Sequence, residues 1–132
     1  MHLSDVQIQK LCDRLRSEGR ILAGYLMGSV VRGHFRVESD VDLAVLLDPG
    51  RRMDLMARLE LAADLSQVAG RTVDVGLLST QNLIYAKEAI TAGRCIYCRD
   101  TGARDLFAAT ALAMYLQLKR ERREIEEAYT DG

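Results

Sequence analysis

Three aspartates stand among apolar residues, where a carboxylate is costly unless a positive charge lies beside it. Asp40 and Asp42 flank Val41 at the start of an apolar stretch, and Asp74 interrupts a β-branched run further along the chain. Alternate side chains of a strand share one face, so Asp40 and Asp42 project together and repel each other. Oxygen ligands favour Mg²⁺ or Mn²⁺ over zinc. If the strands carrying the three carboxylates are neighbours, they can hold two metal ions, as phosphoryl transfer requires.

Gly28 and Ser29 follow another apolar run and are candidates for binding a phosphate. Gly28 has no Cβ, so a phosphate can approach its backbone closely. Backbone N–H groups and the Ser29 hydroxyl can face an anion where a helical turn begins. Arg32, one turn further on, can add a charge-assisted contact. Together with the carboxylates, this pattern predicts transfer from a nucleoside triphosphate.

The thiols and imidazoles are weaker candidates for a metal site. Cys95 and Cys98 have the spacing of a zinc pair, but the chain has no second pair of cysteines. Zinc sites need four such ligands, so we interpret the two cysteines as part of a short strand and His34 as a solvated loop residue. Three cysteines form an odd count, which indicates free thiols in a reducing compartment.

The apolar pattern predicts the elements that must position these residues. Continuous apolar runs predict strands, and apolar residues spaced by three or four predict helices. The predicted strands are 21–27, 41–47, 72–78 and 95–98. A first helix begins at Ser4, which forms a capping box with Gln7, and later helices cover 53–69, about 80–92 and about 103–128. The sequence therefore predicts an α/β (α+β) fold, with helices packed on a small mixed sheet of about four strands.

Three details of the helices are also predicted. Ser79 or Thr80 is expected to cap the third helix. The last helix is expected to bury one stripe, made of Phe107, Ala111, Met114, Leu118 and Ile125. The helix over 53–69 is apolar on more than one side, since Leu61, Leu65 and Val68 lie outside the stripe of Leu55, Met56, Leu59 and Ala62. Such a helix is either deeply buried or binds a partner, and the sequence leaves both open.

Composition limits the class of protein. The 132 residues allow one compact domain over 1–132, and the hydrophobic fraction of 48% supports a core without disulfides. Lys and Arg number 18 against 19 Asp and Glu, a net charge of -1 that argues against direct nucleic-acid binding. No apolar run is long enough for a membrane span, and the first residues lack the layout of a signal peptide. A cytoplasmic protein is expected.

The central segment resembles the nucleotidyltransferase superfamily of DNA polymerase β. Its pattern is Gly-Ser, ten residues, then Asp-x-Asp, and here ten residues separate Gly28-Ser29 from Asp40-Val41-Asp42. Arg32-Gly33 and Ser39 also match the common form of this stretch, and Asp74 falls where the family places its third carboxylate. Val30-Val31 departs from the family, which often has an arginine and a small residue there. The short length and long last helix are similar to the minimal nucleotidyltransferases (MNT), typically the antitoxin halves of HEPN–MNT toxin–antitoxin pairs.

The resemblance implies a function and its participants. It implies an enzyme that uses Mg²⁺ or Mn²⁺ to transfer AMP from ATP to a hydroxyl, in particular a tyrosine of a cognate HEPN ribonuclease toxin. Asp40, Asp42 and Asp74 are the implied metal ligands, and Gly28, Ser29, Arg32 and Ser39 the implied nucleotide-binding residues. Two alternatives stay open: an antitoxin that acts by binding alone, and a small-molecule adenylyltransferase. A complex with the toxin is expected, and a homodimer is the other assembly considered.

Overall fold

A computed structural model describes residues 3–28 and 41–130 of the chain. In these residues four helices and four strands alternate along most of the sequence. We label them α1 (Asp5–Ser17), β1 (Ile21–Met27), β2 (Val41–Leu47), α2 (Leu55–Ala69), β3 (Val73–Leu77), α3 (Leu83–Ala92), β4 (Arg94–Cys98) and α4 (Thr101–Thr130). The predicted strands over 21–27 and 41–47 are confirmed, and the other predicted elements differ by a few residues at their ends.

The four strands form one mixed sheet in the order β3-β2-β1-β4. Strand β1 pairs antiparallel with both β2 and β4, whereas β2 and β3 are parallel. Parallel neighbours need a crossover connection, which α2 supplies. The predicted fold class, a small mixed sheet of four strands with packed helices, is confirmed.

The two faces of the sheet carry separate apolar clusters. Val41, Leu43 and Val45 of β2 point to the face covered by α1 and α2, where Leu15 and Leu65 are completely buried. The alternate residues of the same strand point to the other face, which is covered by α3 and the first half of α4; its cluster includes Ala23, Tyr25, Ala44, Leu46 and Ala89. This second face also carries Asp42 and Asp74, which are exposed at the end of the sheet where β2 and β3 begin.

Caps account for most of the helix ends. The predicted capping box of Ser4 and Gln7 is confirmed, and Gly70 ends α2 in the left-handed conformation with φ 68°. The predicted cap of α3 was wrong: Asn82 caps the helix by accepting the backbone N–H of Tyr85 at 3.3 Å. The Ser79 hydroxyl instead accepts the N–H of Gln81 at 2.8 Å, which makes a turn before the helix begins.

The predicted buried stripe of α4 is only partly present. Ala111 is fully buried and Phe107 packs against the second cluster, but Met114 is 42% exposed and Ile125 57% exposed. Thirty residues of helix extend about 45 Å, whereas strands of five to seven residues extend about 16–23 Å. The helix is therefore longer than the sheet on which it packs, and every residue from 119 to 130 is exposed.

Helix α2 combines a buried side with an exposed apolar side. Leu61, Leu65 and Ala69 are buried against the sheet. Leu55, Met56 and Leu59 are each more than half exposed. The deep burial that the sequence left open is found on one side of the helix, and partner binding by the exposed side stays a prediction. None of the helices in the described residues could span a membrane.

Candidate active site

Two of the predicted carboxylates lie side by side. Asp42 and Asp74 are register partners in the parallel pair of β2 and β3, so their side chains leave the same face of the sheet from adjacent strands. Neighbouring strands lie about 4.8 Å apart. Both aspartates are exposed, and each is the second residue of its strand. The structure therefore brings Asp42 and Asp74 together at one edge of the sheet.

The other predicted residues of the central segment are not placed by the structure. Asp40, Ser29, Arg32 and Ser39 lie outside the described residues. Their roles stay predictions from the sequence. Asp40 immediately precedes β2, two residues before Asp42.

Gly28 lies next to the Asp42 carboxylate. It follows the last residue of β1, Met27, which is the register partner of Asp42. Its φ of 70° lies in the left-handed region that favours glycine. A Cβ built on Gly28 would lie 3.1 Å from Oδ2 of Asp42. The backbone at the end of β1 and the Asp42 carboxylate are therefore close neighbours, and a side chain at position 28 would crowd that carboxylate.

Tyr85 of α3 approaches the site from the helix side. A Cβ built on Gly76 would lie 2.2 Å from the Tyr85 hydroxyl oxygen, so the end of the phenol ring rests on the Gly76 backbone. Burial raises the pKa of Tyr85, the Asp42 carboxylate raises it further, and Arg58 partly opposes them. The hydroxyl is thus a protonated donor at neutral pH, within the electrostatic field of Asp42.

Sequence reasoning missed both Tyr85 and Gly76. The signal was present, since a glycine inside a strand often marks a close approach of another group. Gly76 stands two residues after Asp74 and therefore shares its face. Nothing in the sequence indicated which residue makes that approach.

The residues present fit a divalent cation in part. Asp42 and Asp74 supply carboxylate oxygens, the ligand type that Mg²⁺ and Mn²⁺ prefer. Over residues 3–28 and 41–130, no group of three His, Cys, Asp or Glu side chains could hold a metal ion. Asp42 and Asp74 are the two predicted metal ligands that lie within the described residues, and the ligand roles of all three aspartates stay predictions from the sequence.

The cysteines have other contacts. Cys12 donates its thiol to the carbonyl of Ile96 with a sulfur–oxygen distance of 2.9 Å, and the Cys95 sulfur lies 3.7 Å from Nη1 of Arg104. The expected free thiols are present at Cys12, Cys95 and Cys98. Cys95 and Cys98 both lie in β4, which confirms their interpretation as part of a short strand.

A groove of about 500 Å³ lies at the opposite end of the parallel strands. It is lined by residues that follow β2 and β3, among them Arg51, Arg52 and Ser79. Asp42 and Asp74 are not part of its lining. The groove is therefore separate from the carboxylate pair.

Comparison with known proteins identifies the family. The model of the polymerase beta nucleotidyltransferase family matches residues 9–102, which include Gly28, Asp42 and Asp74. Among curated proteins, the protein adenylyltransferase MntA of Shewanella oneidensis is 32% identical over 101 residues, or 76% of this chain and 70% of that protein.

Solved structures extend the similarity to nearly the whole chain. A double Asp-to-Glu variant of a toxin–antitoxin complex containing MntA superposes with a TM-score of 0.78 at 27% identity, covering 93% of this chain and 98% of the other. A toxin–antitoxin structure with AMP-PNP gives 0.75 at 27% identity and the same coverage. A tri-AMPylated HEPN toxin of Shewanella oneidensis in complex with its MNT antitoxin gives 0.72 at 26% identity, covering 94% and 96%. The resemblance found in the central motif is confirmed, and the chain belongs to the polymerase beta nucleotidyltransferase family.

Proposed function

We propose that this chain is a Mg²⁺-dependent nucleotidyltransferase that transfers AMP from ATP to a hydroxyl of a HEPN-family ribonuclease toxin and so acts as its antitoxin. A tyrosine is the acceptor that we favour. The observation that carries the proposal is the register pairing of Asp42 with Asp74 beside Gly28. The relatives support it, since one is named a protein adenylyltransferase, and one structure holds an AMPylated HEPN toxin with its antitoxin.

The proposed reaction forms one bond and breaks one. The acceptor oxygen attacks the α-phosphorus of ATP, and the bond from that phosphorus to the oxygen bridging to the β-phosphate breaks, so that pyrophosphate leaves. The proton of the acceptor hydroxyl is lost in the same step. A divalent ion, when bound, neutralises charge on the attacking and leaving oxygens.

The residues of this chain divide the work. Asp42 and Asp74, with Asp40, would hold the metal ions, and Asp74 would also orient the acceptor hydroxyl and receive its proton. Gly28 leaves the end of β1 open to the triphosphate, which Ser29 would help to bind; Arg32 and Ser39 are the further candidates for that contact. Holding the nucleotide and the acceptor hydroxyl next to each other in this way makes an otherwise bimolecular reaction effectively unimolecular.

An antitoxin that acts by binding alone is the second candidate. The exposed apolar residues of α4 and α2 favour it, because large apolar side chains in solvent often mark a protein interface. On α4 they are Leu106, Met114, Leu116, Ile125 and Tyr129, and on α2 they are Leu55, Met56 and Leu59. An enzyme that modifies a protein also needs a surface for it, so the two functions are separated by stoichiometry.

The deciding experiment uses a lower molar amount of this protein than of toxin. With ATP and Mg²⁺, substoichiometric wild-type protein should increase the mass of most toxin molecules by about 329 Da per AMP and silence the ribonuclease. Asp42→Asn replaces a ligand oxygen while keeping the shape of the side chain, and it should abolish the mass increase. Asp64→Asn is the matched control, since Asp64 lies on α2 with its carboxylate paired to Arg14 at 2.9 Å.

The outcomes distinguish the candidates. Loss of the mass increase in Asp42→Asn alone, together with loss of protection at low ratios, supports catalysis. Equal protection by Asp42→Asn and wild type at every ratio would reject catalysis and leave the binding-only antitoxin. Transfer of AMP to a small molecule, with a toxin that is neither modified nor protected, would reject both.

A further inference from the structure

The face that carries the carboxylate pair has a second row of residues directly behind it. Register pairing places Ala44 beside Gly76, two residues after Asp42 and Asp74 on the same two strands. Side chains alternate along a strand, so this row faces the same side as the carboxylates. Ala44 carries only a methyl group and Gly76 has no side chain. The surface of the sheet therefore has a shallow step next to the carboxylate pair.

Tyr85 fills that step. A Cβ at position 76 would lie 2.2 Å from the Tyr85 hydroxyl oxygen, 2.8 Å from its Cζ and 3.1 Å from its Cε2. The polar end of the ring, rather than its apolar edge, therefore occupies the space over the strand. The Asn82 cap holds the first turn of α3, and with it the backbone of Tyr85, in place.

The Tyr85 hydroxyl forms none of the side-chain hydrogen bonds within residues 3–28 and 41–130, and no buried side-chain oxygen there lacks a partner, so this hydroxyl is accessible to solvent. Tyr25 and Tyr97 are the more deeply buried tyrosines. A hydroxyl that faces solvent retains its capacity to donate a hydrogen bond to a ligand. Because the Tyr85 hydroxyl lies beside the Asp42–Asp74 pair, a ligand that accepts its hydrogen bond would lie there too.

We propose that Tyr85 is a further binding residue of the active site, whose hydroxyl donates a hydrogen bond to the metal-bound nucleotide held at Asp42 and Asp74. A neutral donor suits this place, because it can contact an anionic phosphate oxygen without forming an ion pair with the adjacent carboxylates. The inference rests on the proposed function and adds to it a contact from α3, an element outside the Gly-Ser and Asp-x-Asp motif.

The test measures binding of Mn²⁺ with the non-hydrolysable analogue AMP-PNP to the full chain by calorimetry. Tyr85→Phe removes the hydroxyl and keeps the ring, so the melting temperature without ligand should stay at the wild-type value. The affinity should fall about tenfold, as expected for one hydrogen bond to a charged group. Tyr97→Phe is the matched control, because Tyr97 is buried in the cluster on the opposite face of the sheet.

A second variant displaces the hydroxyl without removing it. Gly76→Ala places a methyl group where the phenol lies, so Tyr85 must move away from the strand. This variant should lose at least as much affinity as Tyr85→Phe and also melt at a lower temperature.

The results separate this inference from the proposed function. Binding by the wild type with a tenfold loss in Tyr85→Phe and none in Tyr97→Phe supports the inference. Unchanged affinity in Tyr85→Phe, or an equal loss in both Phe variants, overturns it and leaves the proposed function standing. Absence of binding by the wild type overturns both.

Discussion

Replacing Gly28 by alanine tests the geometry of the site most directly, because it has two separable effects. The first is on the backbone, since φ at position 28 is 70° and an L-residue there costs about 1–2 kcal/mol. For a chain of this size, that loss lowers the melting temperature by about 4–8 °C. The second effect is local, because the new Cβ would lie 3.1 Å from Oδ2 of Asp42. Carbon and oxygen at that distance are tighter than ordinary contact, so the carboxylate has to move.

Gly70→Ala is the control for the backbone effect alone. Gly70 has nearly the same φ, 68°, and ends α2, four residues before Asp74 in the sequence. A Cβ built there meets nothing within 4 Å. Both variants should therefore lose similar stability, and only Gly28→Ala should disturb Asp42.

Thermal unfolding with and without Mn²⁺ and AMP-PNP measures both effects. Ligand that binds only the folded state raises the melting temperature by mass action. Gly70→Ala should keep the full increase seen in the wild type, and Gly28→Ala should lose most of it. The reasoning is refuted if Gly28→Ala keeps the full increase, or if the two variants lose it equally.

Three further predictions concern the scaffold. Leu65→Ala opens a cavity at a fully buried position of α2 and should lower the free energy of unfolding by about 2–5 kcal/mol in a denaturant titration. Asp54→Ala removes the N-cap of α2, whose carboxylate accepts the N–H of Ala57 at 2.8 Å, and should cost about 1 kcal/mol in the same titration. The hydrogen bond from Arg20 lowers the pKa of Glu18, so its contribution to stability is present at neutral pH and is lost as the pH falls through that lowered pKa. Glu18→Gln should therefore melt below the wild type at pH 7, and the gap should close in acid; a gap that does not change with pH would contradict this.

The elements themselves could be predicted from the sequence because local chemistry determines them. The capping box of Ser4 and Gln7 joins residues three apart, and Gly70 ends α2 through its own backbone conformation. Continuous apolar runs identified β1 and β2 to the residue, since both strands are covered on both faces over most of their length. Capping residues and apolar runs lie in or within a few residues of the helix or strand that they determine.

The sequence was less informative about α4, because burial along this helix depends on the length of the sheet beneath it. Met114 and Ile125 lie at helical spacing from Ala111, and the pattern alone predicts one continuous buried stripe. Only the length of the sheet decides where burial along α4 stops. The approach of Tyr85 to Gly76 is hidden for a similar reason, because it joins α3 to β3 through the angle at which the helix crosses the strand.

The mixed strand directions of the sheet bring the residues of the site together. Strand β1 ends at the edge where β2 begins because the two are antiparallel, and β3 begins at the same edge because it is parallel to β2. Gly28, Asp42 and Asp74 therefore meet at one edge, whereas a parallel pairing of β1 with β2 would carry Gly28 to the opposite end.

The register of β2 is protected by its own burial. Val41, Leu43 and Val45 are all completely buried on the face opposite the carboxylates. A slip of one residue turns every side chain of the strand to the other face, so it would expose three valine and leucine side chains and bury Asp42 at once. Burial of each such side chain contributes about 1.5–3 kcal/mol, and burial of the Asp42 carboxylate adds several more to the cost of the slip. The apolar residues of β2 thus hold Asp42 opposite Asp74, although neither carboxylate takes part in the core.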